Sequence, residues 1–119
     1  MSWPTELLAS IAKADEVDLI LSSPAHPAIE VPVWVVVVGD EVVMRSYTGV
    51  GARWYCRATR HPQQSIRVGT LTIGVTFVPV APAKEVDEAY DEKYARFDYV
   101  NAMSKPLATA ASLRLDYRP

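Results

Sequence analysis

Hydrophobic and polar residues alternate along several short segments of this 119-residue chain. In the clearest, Leu71, Ile73, Val75 and Phe77 are separated by single polar or small residues. A period of two predicts a strand with one buried face. We predict further strands over 17–21, 41–47, 65–69 and 108–117. The run 33–38 is apolar at every position, which favours a strand buried on both faces, and Gly39-Asp40 after it predicts a hairpin turn.

Helical periodicity predicts three helices, over about 4–14, 53–61 and 83–96. Pro4 suits a first helical turn, and Pro62 ends the second helix because the residue before a proline disfavours the helical conformation. Pro24 and Pro27 make 22–30 a predicted loop. Six strands, mostly linked by hairpins, with three helices inserted, predict a mainly β protein: a six-stranded antiparallel barrel with flanking helices, one domain over 1–119.

Charge changes this picture by pointing to an anionic ligand. Residues 42–83 contain five arginines and no acid, whereas the remainder contains seven basic and fourteen acidic residues. A basic centre in an acidic chain favours a local anion site over nucleic-acid binding. The single cysteine, Cys56, forbids an internal disulfide, and no apolar run approaches a membrane span of about 20 residues. We therefore expect a cytoplasmic protein that binds neither membranes nor nucleic acid; no ligand spacing predicts a metal site.

The segment 44–55 holds the strongest candidate chemistry, because a strand, a two-glycine loop and a helix start follow one another. Gly49 and Gly51 permit close backbone approach, and the helix start presents free N–H groups. Arg45 and Arg53 flank the loop, and Ser46 and Thr48 add hydroxyls, so the segment fits a phosphate. An alternative is that the glycines only turn the chain and the arginines pair with the acidic helix at 85–92.

Tyrosines of the last predicted helix are further candidates. Tyr90, Tyr94 and Tyr99 offer aromatic walls and a hydroxyl for proton donation. The same stripe is equally typical of side chains that pack against a core, and this interpretation stays open at the level of sequence.

The order of these motifs resembles the deazaflavin-dependent nitroreductases, which belong to the flavin-binding, pyridoxamine-phosphate-oxidase-like split barrels. The relevant segments are the hairpin at 35–49, Arg53-Trp-Tyr55, His61-Pro62 and Ile66-Arg-Val-Gly69. A small bacterial family of unknown function related to them is a still better match. It shares Arg-Ser-Tyr-x-Gly at 45–49, Trp54-Tyr55, Lys93-Tyr94 and Leu113-Arg-Leu115.

This resemblance implies a six-stranded split barrel, a homodimer, and deazaflavin or FMN as cofactor. It implies cofactor contacts around the loop and helix start, and catalytic tyrosines on the substrate side at Tyr94 and Tyr99. The implied cofactor-binding residues are Arg45, Ser46, Tyr47, Thr48, Gly49, Gly51, Arg53 and Trp54.

Two departures from the nitroreductase pattern keep a second function open. The turn after the first strand, 22–28, has no arginine, and Thr48-Gly49-Val50-Gly51 replaces adjacent glycines. The leading hypothesis is an oxidoreductase that transfers a hydride from a flavin or deazaflavin to a small organic acceptor. The alternative is a non-catalytic split-barrel module that binds an anionic cofactor, metabolite or haem.

Overall fold

The computed structural model describes residues 2–119 as seven strands and four α-helices. The helices are α1 (Thr5–Lys13), α2 (Arg53–Arg60), α3 (Lys84–Lys93) and the single turn α4 (Pro106–Thr109). The strands are β1 (Val17–Ser23), β2 (His26–Val33), β3 (Val36–Val38), β4 (Glu41–Arg45), β5 (Gln63–Val68), β6 (Leu71–Pro79) and β7 (Ser112–Arg118). Short 3₁₀ turns cover Gly49–Gly51 and Val100–Ser104.

All seven strands form one antiparallel sheet in the order β2-β1-β5-β6-β7-β4-β3. The sheet curls into a half-barrel, which confirms the predicted split-barrel class. The strand count differs by one from the prediction of six.

The extra strand is β2, and the predicted loop over 22–30 is wrong. Ser23 pairs with His26, so Pro24 and Ala25 alone make the turn, and β2 runs antiparallel to β1 as far as Val33 opposite Val17. Prolines are tolerated in β2 because it is an edge strand, where a missing backbone N–H costs no ladder hydrogen bond on the open side. The two prolines of β2, Pro27 and Pro32, also make that edge a poor template for unwanted strand pairing.

Buried side chains form two clusters on opposite faces of the sheet around β3 and β4. Val35, Val42 and Met44 belong to the larger cluster, together with the apolar faces of β1, β5, β6 and β7. Trp34, Val36 and Val43 belong to the smaller one, which α3 and the 3₁₀ turn at 100–104 cover. The predicted burial of the 33–38 run on two faces is therefore confirmed at 33–36, whereas the predicted single strand is wrong, because residues 34–35 separate β2 from β3.

Predicted helix boundaries hold best where a proline fixes them. α2 begins at the predicted residue 53 and ends one residue early, since His61 before Pro62 has left the helix. α3 ends at Lys93 rather than 96, and the predicted strand over 108–117 begins only at Ser112, after α4. Within residues 2–119 no helix combines the length and apolar character needed to cross a membrane.

Candidate functional site

Arg45, at the end of β4, is fully buried and joins four separate segments. Its Nε donates to Ser112 Oγ at 3.1 Å, one Nη to the Met103 carbonyl at 2.9 Å and the other to the Ala83 carbonyl at 3.2 Å. The same guanidinium forms an ion pair with Asp87 of α3. Four of its five N–H groups thus point at protein acceptors, and the charge is neutralised. A phosphate would have to displace these contacts, so the geometry assigns Arg45 to positioning α3 and the 100–104 turn.

Above Arg45 lies an open cleft of about 310 Å³, which we call the aromatic cleft. Its lining residues are Glu16, Pro32, Val33, Trp34, Arg45, Tyr47, Trp54, Tyr99 and Met103. Tyr47 and Tyr99 are both about half exposed, at 52% and 54%. Large aromatic surfaces left open to water beside a concave site favour a flat or apolar ligand.

Tyr99 extends an aromatic stack that begins in the protein interior. Trp34 stacks on Tyr94 at a centroid distance of 4.1 Å and on Tyr99 at 5.0 Å. Packing against a buried tryptophan fixes the Tyr99 ring although no helix carries it. The base of this cleft wall is therefore anchored on the protein interior.

Tyr94 lies beneath this wall rather than in the cleft. It is fully buried, accepts a hydrogen bond from the Val35 N–H at 3.0 Å and donates to the Asp15 carbonyl at 2.8 Å. Burial, with the nearby Asp15 and Glu16 carboxylates, raises the pKa of Tyr94 to about 12. Tyr90 similarly accepts from the Arg45 N–H at 3.0 Å. The packing interpretation of the tyrosine stripe thus describes Tyr90 and Tyr94, and only Tyr99 reaches the cleft.

The loop after β4 divides its residues between the interior and the surface. Ser46 is buried, and within residues 2–119 its Oγ has no hydrogen-bond partner. Gly49 has φ +84°, and an added Cβ would lie 2.7 Å from Leu107 Cδ1, so glycine is required there. Gly51 has ordinary φ and open space around it, and Thr48 is exposed. Among the predicted contacts, Ser46, Thr48 and Gly49 line neither this cleft nor the next.

On the other side of the loop is a larger cleft of about 610 Å³, the arginine cleft. It is lined by Ser23, His26, Gly51, Arg53, Cys56, Arg57, Arg60 and His61. Arg57 is held by the Leu21 and Pro27 carbonyls at 3.3 and 3.2 Å. Within residues 2–119, none of the three arginines forms an ion pair with a carboxylate. The alternative that the arginines pair with the acidic helix is therefore wrong for Arg53, Arg57 and Arg60, and it is confirmed for Arg45, which pairs with Asp87.

The N-terminus of α2 separates the two clefts. Ala52 at its start provides no side-chain cap, and the first N–H bonded to it is that of Cys56. The preceding N–H groups of the first turn are left for solvent or a ligand. Arg53 lines the arginine cleft and the next residue, Trp54, lines the aromatic cleft, since successive helical side chains diverge by about 100°.

Sequence reasoning missed five residues that line the aromatic cleft, namely Glu16, Pro32, Val33, Trp34 and Met103. Trp34 had a signal, because a residue of a strand buried on both faces must meet whatever covers the second face. Glu16, between α1 and β1, and Met103, in a 3₁₀ turn, lie outside any periodic pattern.

Residues 7–115 match the sequence profile of a bacterial family described as "Uncharacterized protein conserved in bacteria (DUF2255)". The chain belongs to this family. No curated protein sequence matches it.

Several solved structures share the fold of this DUF2255 member. The conserved protein Rv2991 from Mycobacterium tuberculosis has a TM-score of 0.72 at 12% identity, over 100% of this chain and 82% of that one. The haem storage protein HutZ from Vibrio cholerae has a TM-score of 0.66 at 14% identity, over 100% of this chain and 92% of that one. An F420-H2-dependent reductase, FDR-A, has a TM-score of 0.63 at 15% identity, over 86% of this chain and 94% of that one. These similarities show the split-barrel fold and do not transfer an activity.

Proposed function

We propose that this protein is an oxidoreductase that binds a deazaflavin or FMN and transfers a hydride to a small organic acceptor. One observation carries the proposal: the uncapped start of α2 lies between an aromatic cleft and an unpaired arginine cleft. A cofactor with a flat ring and a phosphate chain needs both surfaces within one molecule's length. Arg53 lies at the arginine cleft, and the next residue, Trp54, lies at the aromatic cleft. The shared fold with an F420-H2-dependent reductase supports this choice.

In this arrangement Arg53 and the free N–H groups of α2 would hold the phosphate, and the ring would lie along Trp54 and Tyr47. When bound, the cofactor supplies the hydride. The protein's own residues would orient the acceptor and limit its hydration: Trp34 and Tyr99 form a stacked wall of the cleft that Trp54 also lines. The Tyr99 hydroxyl, on a half-exposed ring at that wall, is the available proton donor, whereas the Tyr94 hydroxyl is already bonded to backbone.

Titration of the purified protein with FMN and with riboflavin tests the phosphate assignment. Arg53→Gln should weaken FMN on the order of tenfold, the value of one charge-assisted contact, while leaving riboflavin nearly unchanged. Arg67→Gln is the matched control, since Arg67 pairs with Glu30 and Asp18 on the surface away from both clefts. Equal loss for FMN and riboflavin would refute the phosphate role. No binding of FMN or of a deazaflavin at high micromolar concentration would refute the function.

A second function, a haem-binding module, is favoured by one further feature of the arginine cleft. His26 and His61, the only histidines of the chain, both line it beside the three arginines. Imidazole can ligate haem iron, and arginine pairs with propionates. Titration with hemin separates the two proposals. A shift of the hemin Soret band that is lost in His61→Ala and retained in the control Arg67→Gln would favour haem binding. Arg53→Gln effects confined to FMN would favour the flavin.

We also propose a homodimer, the assembly expected from the family resemblance. Four half-exposed apolar side chains lie around the loop and α4, where Leu107 contacts Gly49. They are Tyr47, Val50, Tyr99 and Leu107. Gel filtration against the 13.1 kDa chain mass tests it, and Leu107→Glu should shift a dimer to the monomer position.

A further inference from the structure

The aromatic cleft contains an acidic side chain that the proposed cofactor does not explain. Glu16 lies in the link between α1 and β1, is exposed, and lines the cleft together with Trp34 and Tyr99. A carboxylate has no role toward a phosphate or toward the electron-rich faces of aromatic rings. A carboxylate in this cleft favours a cationic ligand over an anionic one.

The neighbouring charges leave the Glu16 carboxylate uncompensated. Arg45 lines the cleft from below, but its guanidinium is buried and paired with Asp87. Arg96 pairs with Asp15, the residue next to Glu16. Among residues 2–119, no ion pair includes Glu16. Within residues 2–119, this carboxylate is therefore available to a bound cation.

The rings around Glu16 reinforce the same preference. Tyr99, which stacks on Trp34 at a centroid distance of 5.0 Å, exposes half of its surface in the same cleft. The face of an aromatic ring attracts a cation within about 6 Å, and a quaternary ammonium is the ligand class that such groups of rings recognise. A carboxylate beside aromatic faces therefore attracts a cation by two independent terms and repels an anion.

We propose that the acceptor side of the aromatic cleft, formed by Glu16, Tyr99 and Trp34, binds an organic cation that carries a quaternary or protonated nitrogen. The proposal deepens the proposed function, because it names the substrate class of the same site. The cation would enter beside Tyr99, with its charge toward Glu16 and its hydrocarbon part against the rings. The phosphate chain of the cofactor would lie beyond α2 in the arginine cleft, so the two ligands would not compete for charge.

Choline and its neutral carbon isostere, 3,3-dimethylbutan-1-ol, test the inference in cofactor-free protein. Calorimetry should give choline an affinity at least roughly tenfold higher than the alcohol, with a matching change in tryptophan emission. Glu16→Gln should remove most of this discrimination, and Tyr99→Ala should weaken choline further. Glu85→Gln is the matched control, because it removes the same charge from an exposed position on α3.

Three results would overturn the inference: equal binding of choline and the alcohol, equal behaviour of Glu16→Gln and Glu85→Gln, or no choline binding at millimolar concentration. The measurement uses no cofactor, and an FMN titration of the same sample is scored separately. Choline binding without FMN binding would refute the proposed function and retain the cation site. FMN binding without choline binding would refute the cation site and retain the proposed function.

Discussion

Replacing Arg45 with methionine tests whether this side chain holds the floor of the aromatic cleft together. The guanidinium is fully buried and serves Asp87, two backbone carbonyls and the Ser112 hydroxyl. Methionine fills a similar volume but donates no hydrogen bond. The substitution therefore removes the charge and the donors while adding little cavity.

The expected cost follows from what is left without a partner. Breaking a buried ion pair costs about 3–5 kcal/mol, and the lower part of that range applies because the Asp87 side chain is 35% exposed and keeps some water. The buried Met103 carbonyl also loses a donor, at about 1 kcal/mol, whereas the part-buried Ala83 carbonyl is left to solvent. We expect a loss of about 4 kcal/mol. For a chain of this size that corresponds to a melting temperature lower by about 15 °C.

Urea and thermal unfolding followed by circular dichroism provide the measurement, with Arg67→Met as the control. Arg67 makes an exposed pair with Glu30 that water and salt screen, so its loss should change the urea midpoint little. Arg45→Lys should fall between the two, because one ammonium cannot reach acceptors on β7, α3 and the 100–104 turn together. If Arg45→Met costs no more than Arg67→Met, Arg45 does not hold these segments, and its assignment to phosphate must be reconsidered.

Three further substitutions test local features. Gly49→Ala should cost about 2 kcal/mol because of its φ of +84° and the contact with Leu107, whereas Gly51→Ala should be nearly neutral in the same urea titration. Tyr94→Phe should lower the free energy of unfolding by about 1–2 kcal/mol and leave FMN affinity unchanged; a change in affinity with intact stability would contradict its structural role. Burial lowers the pKa of Lys93 to about 8. Between pH 8 and 10 the folded chain therefore releases a proton that the unfolded chain keeps, so the free energy of unfolding should rise with pH. We expect a rise of about 1 kcal/mol, because the side chain is only partly buried. Lys93→Met should abolish that rise in urea midpoints measured at the two pH values.

Local patterns in the sequence were sufficient for most of the sheet and insufficient for its edge. The hairpin around Gly39-Asp40 was predictable because turn chemistry and alternation act over a few residues. β2 was not, because its two prolines have the composition of a loop. Only the position of β2 beside β1, with no strand on its other side, makes those prolines compatible with pairing.

The candidate site shows the same limit. Gly51, Arg53 and Trp54 were predictable because a loop followed by a helix start is a local signal, and the structure brings them to the two clefts. The structural role of Arg45 was not predictable, because its partner, Asp87, lies 42 residues further on. The sequence does not specify where the helix that carries Asp87 packs. Glu16 carried no signal for the same reason: its significance depends on rings from three distant segments.

The pairing of charges refines the meaning of the acid-free stretch at 42–83. Two of its five arginines are neutralised in the fold, Arg45 by Asp87 and Arg67 by Glu30 and Asp18. The remaining excess positive charge belongs to α2 and faces the arginine cleft, while the unpaired carboxylate of Glu16 faces the aromatic cleft. Sites of opposite charge on the two sides of one helix start favour binding an anionic chain and a cationic acceptor at once. A ligand pair of that kind would be oriented by electrostatics before any close contact forms, because each charge is attracted to one cleft and repelled by the other.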